Sequence, residues 1–215
     1  MSINLDRANW PKRWITADWH LGEERMQIMQ RPFQNAQEHV DRMVELHNQV
    51  VHPDDLVILV GDAVNKDKPE FLEHVGRFNG TKVLVRGNHD VPYSDEQLSD
   101  YFVLIVEDGD GIELSVEVEG SPLACYATHY PTQGREDRYN LVGHIHSAWK
   151  LQLNSVNVGV DCNHFAPHNL DESVPFLYTA SCKFYDDDVW AAYADANLPH
   201  LGHRGKKGRY FQGAK

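Results

Sequence analysis

The chain has 215 residues, 41% of them hydrophobic and 24% charged, which excludes wholesale disorder and collagen-like structure. Its net charge of −12 is uneven. Residues 202–215 hold five basic side chains and no acid, leaving a body of −17 that is a poor non-specific nucleic-acid binder.

Several short aliphatic runs each end in Gly, Asp, Asn or His. Trp14 to Ala17 leads to Asp18, and Leu56 to Val60 leads to Gly61-Asp62. Val83 to Val85 leads to Gly87-Asn88-His89-Asp90, Leu123 to Ala127 to His129, and Leu141-Val142 to Gly143-His144. Continuous apolar runs bounded by turn residues suit strands buried on both faces. The polar residues then fall at the strands' C-terminal ends, where open α/β sheets bind ligands. Between the runs lie helical patterns. Asn35 to Val51 repeats Val40, Met43, Val44, His47 and Val50 at helical spacing, with Asn35 and Glu38 as a capping box. Pro69 suits a first helical turn, and Ser94 with Gln97 forms a second capping box. Ile112 to Val118 alternates as a half-exposed strand, and Ser155 to Asp161 is a further strand. Asp186-Asp187-Asp188 reads as a helix N-terminus whose dipole favours carboxylates, and residues 202–215 as a flexible basic tail. Strands alternating with helices predict an α/β domain over residues 1–201.

Thirteen His against three Cys, with no CxxC, point to nitrogen and oxygen metal ligands and a reducing compartment. No run is long enough to span a membrane, and residues 1–10 lack the apolar stretch of a signal peptide. The sequence therefore predicts a cytoplasmic protein. Five motifs carry the chemistry: Asp18-Trp19-His20, Gly61-Asp62, Gly87-Asn88-His89-Asp90, Thr128-His129 and Gly143-His144-Ile145-His146. On extended backbone, Asp18 with His20 and His144 with His146 would each face one cavity. A lone D-x-H or H-x-H is ordinary polarity, whereas five motifs directly after predicted strands form a strong signal.

The chain resembles the calcineurin-like metallophosphoesterases, whose motifs D-x-H, G-D, G-N-H-[DE], a single His and G-H-x-H all occur here in family order. Arg31-Pro32-Phe33, His52-Pro53-Asp54-Asp55 and Asn157 to Asp161 resemble a branch of small bacterial and phage phosphoesterases; for a phage protein the compartment would be the host cytoplasm. That branch often carries Gly-His after the D-x-H; here Gly22-Glu23 stands instead. The resemblance covers residues 14–161 and implies a two-sheet β-sandwich flanked by helices, in α/β/β/α layers, with two divalent ions at the sheet ends. Asp18, His20 and His146 would hold the first ion, Asn88, His129 and His144 the second, and Asp62 would bridge both. Mn²⁺ leads on donor type, with Fe and Zn²⁺ fitting the same ligands. Two dications also supply the positive charge that the acidic body lacks.

The implied reaction is attack of a metal-activated hydroxide on a small or cyclic nucleotide phosphodiester, with His89 protonating the leaving oxygen. Asp90 either orients the His89 ring or caps its own turn. Phosphomonoesterase and nuclease activities use the same motifs, and a non-catalytic binding module on this fold is a further alternative. Arg31, Arg86, Arg135 and Arg138 are the cations available to a monoester. The basic tail is the route by which nucleic acid would bind, the less favoured partner. His164 and His168, beside Pro167, read as unrelated to the site.

Overall fold

The structure, a computed structural model, describes residues 3–152 and 154–183. The helix expected after Asp186, the domain limit at 201 and the basic tail lie outside the described residues. Residues 1–181 group as one compact unit that carries the whole candidate site.

In chain order the strands are β1 (Arg13–Thr16), β2 (Leu56–Val60), β3 (Thr81–Val85), β4 (Leu104–Val106), β5 (Gly111–Val118), β6 (Ser121–Thr128), β7 (Tyr139–Val142), β8 (Leu151–Gln152), β9 (Ser155–Asn157) and β10 (His168–Asn169). The helices are α1 (Ala36–Asn48), α2 (Asp95–Leu98) and α3 (Ser173–Lys183). One sheet runs β10-β1-β2-β3-β4 and the other β5-β6-β7-β9-β8. Strands β1 to β4 are mutually parallel, as are β6, β7 and β9, while β10, β5 and β8 pair antiparallel. This is the sandwich flanked by helices that the resemblance implies.

Alternation sorts each strand between two layers. Leu56, Ile58 and Val60 of β2 face Leu114, Val116, Ala127 and Leu141 in the core between the sheets. Leu59 and Leu84 turn to the outer face, where Val40 and Met43 of α1 join Leu72, Val75, Phe78 and Leu98. In β5, Ile112, Leu114 and Val116 are buried while Glu113, Ser115 and Glu117 are exposed, the alternation read from sequence. The Asn35 side chain accepts the Glu38 N–H as expected, but Glu38 reaches back to Gln34 N–H rather than to Asn35. The Ser94–Gln97 box is complete, although α2 lasts a single turn. The segment opened by Pro69 is a 3₁₀ helix to Arg77, because proline at a first turn favours either helix type. The strand expected over 155–161 stops at Asn157 and passes into a 3₁₀ turn at Val160–Cys162. Val174 of α3 packs into the core between the sheets.

His47 is buried beneath Trp19 and Phe78, with its Nε2 against Asn79 O at 3.0 Å. Burial lowers its pKa to about 4. Its folded pKa lies below the unfolded value, so its contribution to stability is present above about pH 6.5 and is lost as pH falls toward 4. The cost reaches about 2 kcal/mol at pH 5. Urea unfolding of wild type and His47→Gln at pH 7 and pH 5 should show the difference between them moving toward the variant by that amount. The comparison cancels every other titrating group. An unchanged difference would mean that His47 is already charged or solvated in the folded state.

Candidate metal centre

Six strand ends converge on one edge of the sandwich. Residues 18–20 follow β1, Gly61-Asp62 follow β2, 87–90 follow β3, His129 follows β6, 143–146 follow β7 and 159–161 follow β9. The sheets touch there through an isolated parallel bridge between Ala17 and Gly159. The paired candidate residues do not lie on extended backbone. Asp18, His20, Asp62, His144 and His146 all have left-handed backbone, at φ 61°, 48°, 58°, 72° and 48°. Such conformations are strained for non-glycine residues and persist where the surroundings over-determine them. Gly61 and Gly87 allow the close packing: a Cβ on either would collide with the His129 ring.

Asp62 is the centre. It is 1% exposed, and its Oδ2 lies 3.3 Å from His20 Nε2 and 3.4 Å from His129 Nε2. Its Oδ1 accepts the His89 N–H at 2.8 Å, which fixes the carboxylate. Both His nitrogens are buried and lack a hydrogen-bond partner. Orphaned buried nitrogens are costly, and a cation relieves the cost. Two atoms bound to one ion at about 2.0–2.2 Å lie about 3–3.5 Å apart, so each His–Asp62 pair has the spacing of two ligands on one ion. His129 Nδ1 sits 2.9 Å from Val60 O, so it carries a proton, and Nε2 is the atom turned to Asp62 that a metal would take. Burial favours the neutral form of Asp62, but His129 and His20 outweigh it and hold the carboxyl below the ordinary range. Burial opposes charge on His129 too, yet Asp62 beside it raises its pKa to about 9. Burial holds His20 well below its ordinary value.

Two groups of potential ligand atoms are found, the atoms within each lying within 4.8 Å of one another: His20, Asp62 and His89, and Asp62, His129 and His144. The second joins three members of the expected second set. The first brings in His89 and leaves Asp18 and His146 outside. Both Asp18 oxygens accept the His144 N–H, at 2.9 and 3.0 Å, tying the β1 loop to the β7 loop. Burial raises the Asp18 pKa to about 6. The His146 ring stacks on His20 with centroids 5.0 Å apart. Asn88 is exposed in the turn before His89.

Asp90 does not orient His89. Its buried carboxylate accepts the N–H groups of Asp62, Ala63 and Gly87 at 2.7, 2.9 and 2.9 Å, so it caps the turns that hold Asp62. Backbone N–H groups of the turns after β2 and β3 take up both oxygens, and none is left for the ring. Burial, with Asp62 nearby, raises Asp90 to about 7. The His89 ring instead takes the Lys66 N–H on Nδ1 at 3.3 Å.

A sequence model described as calcineurin-like phosphoesterase matches residues 11–195. The chain belongs to this family. A protein of unknown function from Aquifex aeolicus shares the fold of this phosphoesterase, at 22% identity and TM-score 0.52, over 73% of this chain and 94% of that one. A nuclease, MPE, from Pseudomonas putida aligns at 19% identity and TM-score 0.41, over 64% of each chain. No curated protein sequence matches significantly. The family is dinuclear-metal dependent, and the His and Asp clusters suit that requirement. No helix among the described residues is long and apolar enough to cross a membrane.

Sequence reasoning left other polar residues of this phosphoesterase without a place. Arg31 is buried and bonds Asp161 through Nε and Nη2, at 2.8 and 2.9 Å; Asp161 Oδ2 in turn lies 2.7 Å from His146 Nδ1. Their only signal was membership of the Arg31-Pro32-Phe33 and Asn157 to Asp161 motifs. Glu23 is buried and spent on Arg25 and Asn65 rather than open to substrate. Arg86 reaches Asp90 O, Tyr93 O and Asp95, while Arg135 and Arg138 pair with Glu113. All four candidate arginines are therefore committed to carboxylates. His168 pairs with Asn163 in β10, apart from both clusters.

Proposed function

We propose that this phosphoesterase is a dinuclear-metal-dependent phosphodiesterase acting on small or cyclic nucleotide diesters. The observation that carries the reading is Asp62 Oδ2 seated between two buried, unpartnered imidazole nitrogens. Asp18, His20 and His146 would hold one ion, Asn88, His129 and His144 the other, and Asp62 both. Bound there, divalent ions supply an activated water and positive charge for the phosphoryl oxygens. Nitrogen and oxygen donors without thiolate favour Mn²⁺, then Fe or Zn²⁺. Free thiols at Cys125 and Cys162 fit a cytoplasmic setting.

The arginines support the diester reading. A monoester dianion would draw extra cations to the site, and Arg31, Arg86, Arg135 and Arg138 are engaged elsewhere. A panel of phosphomonoesters, linear diesters and 2′,3′- and 3′,5′-cyclic nucleotides, assayed with each metal, tests it. Faster turnover of monoesters than of every diester would overturn the diester reading. Preference for long nucleic acid would make the enzyme a nuclease. A binding module would turn over none, yet all seven expected ligand residues are present in the sequence.

For His89, expected as the proton donor, we propose the role of a hydrogen-bond donor to the phosphoryl group. Burial lowers its pKa, and the Lys66 N–H occupies Nδ1, so the ring is neutral with its proton on Nε2. A neutral imidazole gives up that proton poorly, but Nε2–H can hold a phosphoryl oxygen. His89→Ala should keep both metals and lose about 10²–10³-fold in rate. The loss should be equal on a bis-p-nitrophenyl diester and on a nucleotide diester with an alkoxide leaving group. A defect confined to the alkoxide would restore proton donation.

A further inference from the structure

We infer that Arg31 and Asp161 are positioning residues that aim His146 at the first metal position and lock it to the Asp18–His20 loop. This rests on the dinuclear reading above and assigns the residues that make one half of that centre.

Each bond of the pair leads to a ligand loop. Arg31 Nη2 donates to Asp18 O at 2.7 Å, and Nη1 to Trp19 O at 2.9 Å. Nη1 also lies 3.0 Å from His39 Nε2, a ring kept neutral by burial. The guanidinium's Nε and Nη2 grip Asp161 side-on. One carboxylate oxygen, Oδ2, is shared between Arg31 Nη2 and His146 Nδ1. Arginine has only donors and cannot be deprotonated, so Asp161 stays an anionic acceptor. The His146 nitrogen facing it must then be Nδ1–H, which leaves Nε2 bare as the ligand atom. Asn157 holds the other end of the residue: its side-chain amide donates to His146 O at 2.6 Å and to Trp149 O at 2.9 Å.

The Arg31 side chain is 0% exposed and that of Asp161 4%. A buried ion pair adds little stability over a well-packed apolar pair, so stability alone gives this one no rationale. Its geometry does, because Asp18 and His146 both sit in left-handed backbone that needs external support.

The test reads free Mn²⁺ by electron paramagnetic resonance during titration of full-length protein. Asp161→Asn keeps the volume but cannot accept from both Arg31 nitrogens and His146. It should weaken one Mn²⁺ equivalent about 10–100-fold and change the other less than about threefold. Arg31→Lys keeps the charge but loses the fork, and should weaken the same equivalent. Metal-free wild type gives a reading that needs no variant. In long-range ¹⁵N–¹H correlation spectra at alkaline pH, His146 should be the Nδ1–H tautomer, and Asp161→Asn should move it toward Nε2–H. Equal weakening of both equivalents, unchanged affinity, or an Nε2–H tautomer in wild type would overturn the inference. Wild type that binds fewer than two Mn²⁺ would instead overturn the dinuclear reading.

Discussion

Asp62→Asn should retain less than one equivalent of Mn²⁺ and lose at least about 10⁴-fold in turnover, about 5 kcal/mol on the barrier. The substitution is nearly isosteric and can still accept the His89 N–H through its remaining oxygen, the bond Asp62 makes at 2.8 Å. What it removes is the charge between His20 and His129. Without that charge two dications would face each other with less negative charge between them to offset their repulsion. The metal-free variant carries an independent reading. Burial opposes a charged His129, and Asp62 is what lifts it to about 9. A carboxylate favours the imidazolium, so its loss should drop the His129 pKa below the ordinary 6.5 or so, visible by NMR titration. Two full equivalents of Mn²⁺ in the variant would show that Asp62 does not bridge.

The second large effect is on folding. Asp90→Ala should lower the thermal midpoint by about 10–20 °C, for a loss of about 5 kcal/mol in a domain of this size. The carboxylate is 0% exposed and accepts three backbone N–H groups. Alanine leaves all three buried without partners, at about 1–3 kcal/mol each. Asp90→Asn, whose single oxygen can serve Asp62 and Gly87 N–H, should fall between. Because two of the freed groups flank the Asp62 turn, the alanine variant should also bind Mn²⁺ more weakly. A midpoint within about 2 °C of wild type would show that water replaces the carboxylate.

The strand ends were readable because each needed only local information: an apolar run, then a residue that stops it. Leu56–Val60 appears as β2 at the expected limits. The motif residues then land on one edge because parallel strands place their C-terminal ends together. Strands β8 and β10, two residues each, carry no periodicity to read. The left-handed backbone at Asp18, His20 and Asp62 was hidden because glycine is the usual marker of that conformation, and none of these is glycine. Asp90 showed the limit of a short motif. Its place beside His89 implied a partnership, while the three N–H groups it serves come from two turns, the farther donor 28 residues from Asp90. Arg31 and Asp161 lie 130 residues apart, a pairing that no local pattern announces.

That separation bears on how the protein comes to hold its ions. No segment shorter than Asp18 to His146 contains both proposed ligand sets, and their support reaches Asp161. Metal cannot nucleate this fold as it does a small zinc module. Pairing of strands distant in sequence should be the slow step, with the candidate ligands meeting only when that is done. Refolding in chelator should therefore proceed at the rate seen with Mn²⁺, while unfolding slows as the ion concentration rises, each tenfold excess over the dissociation constant adding about 1.4 kcal/mol. The ion arrives after assembly and acts as a latch on a door already closed.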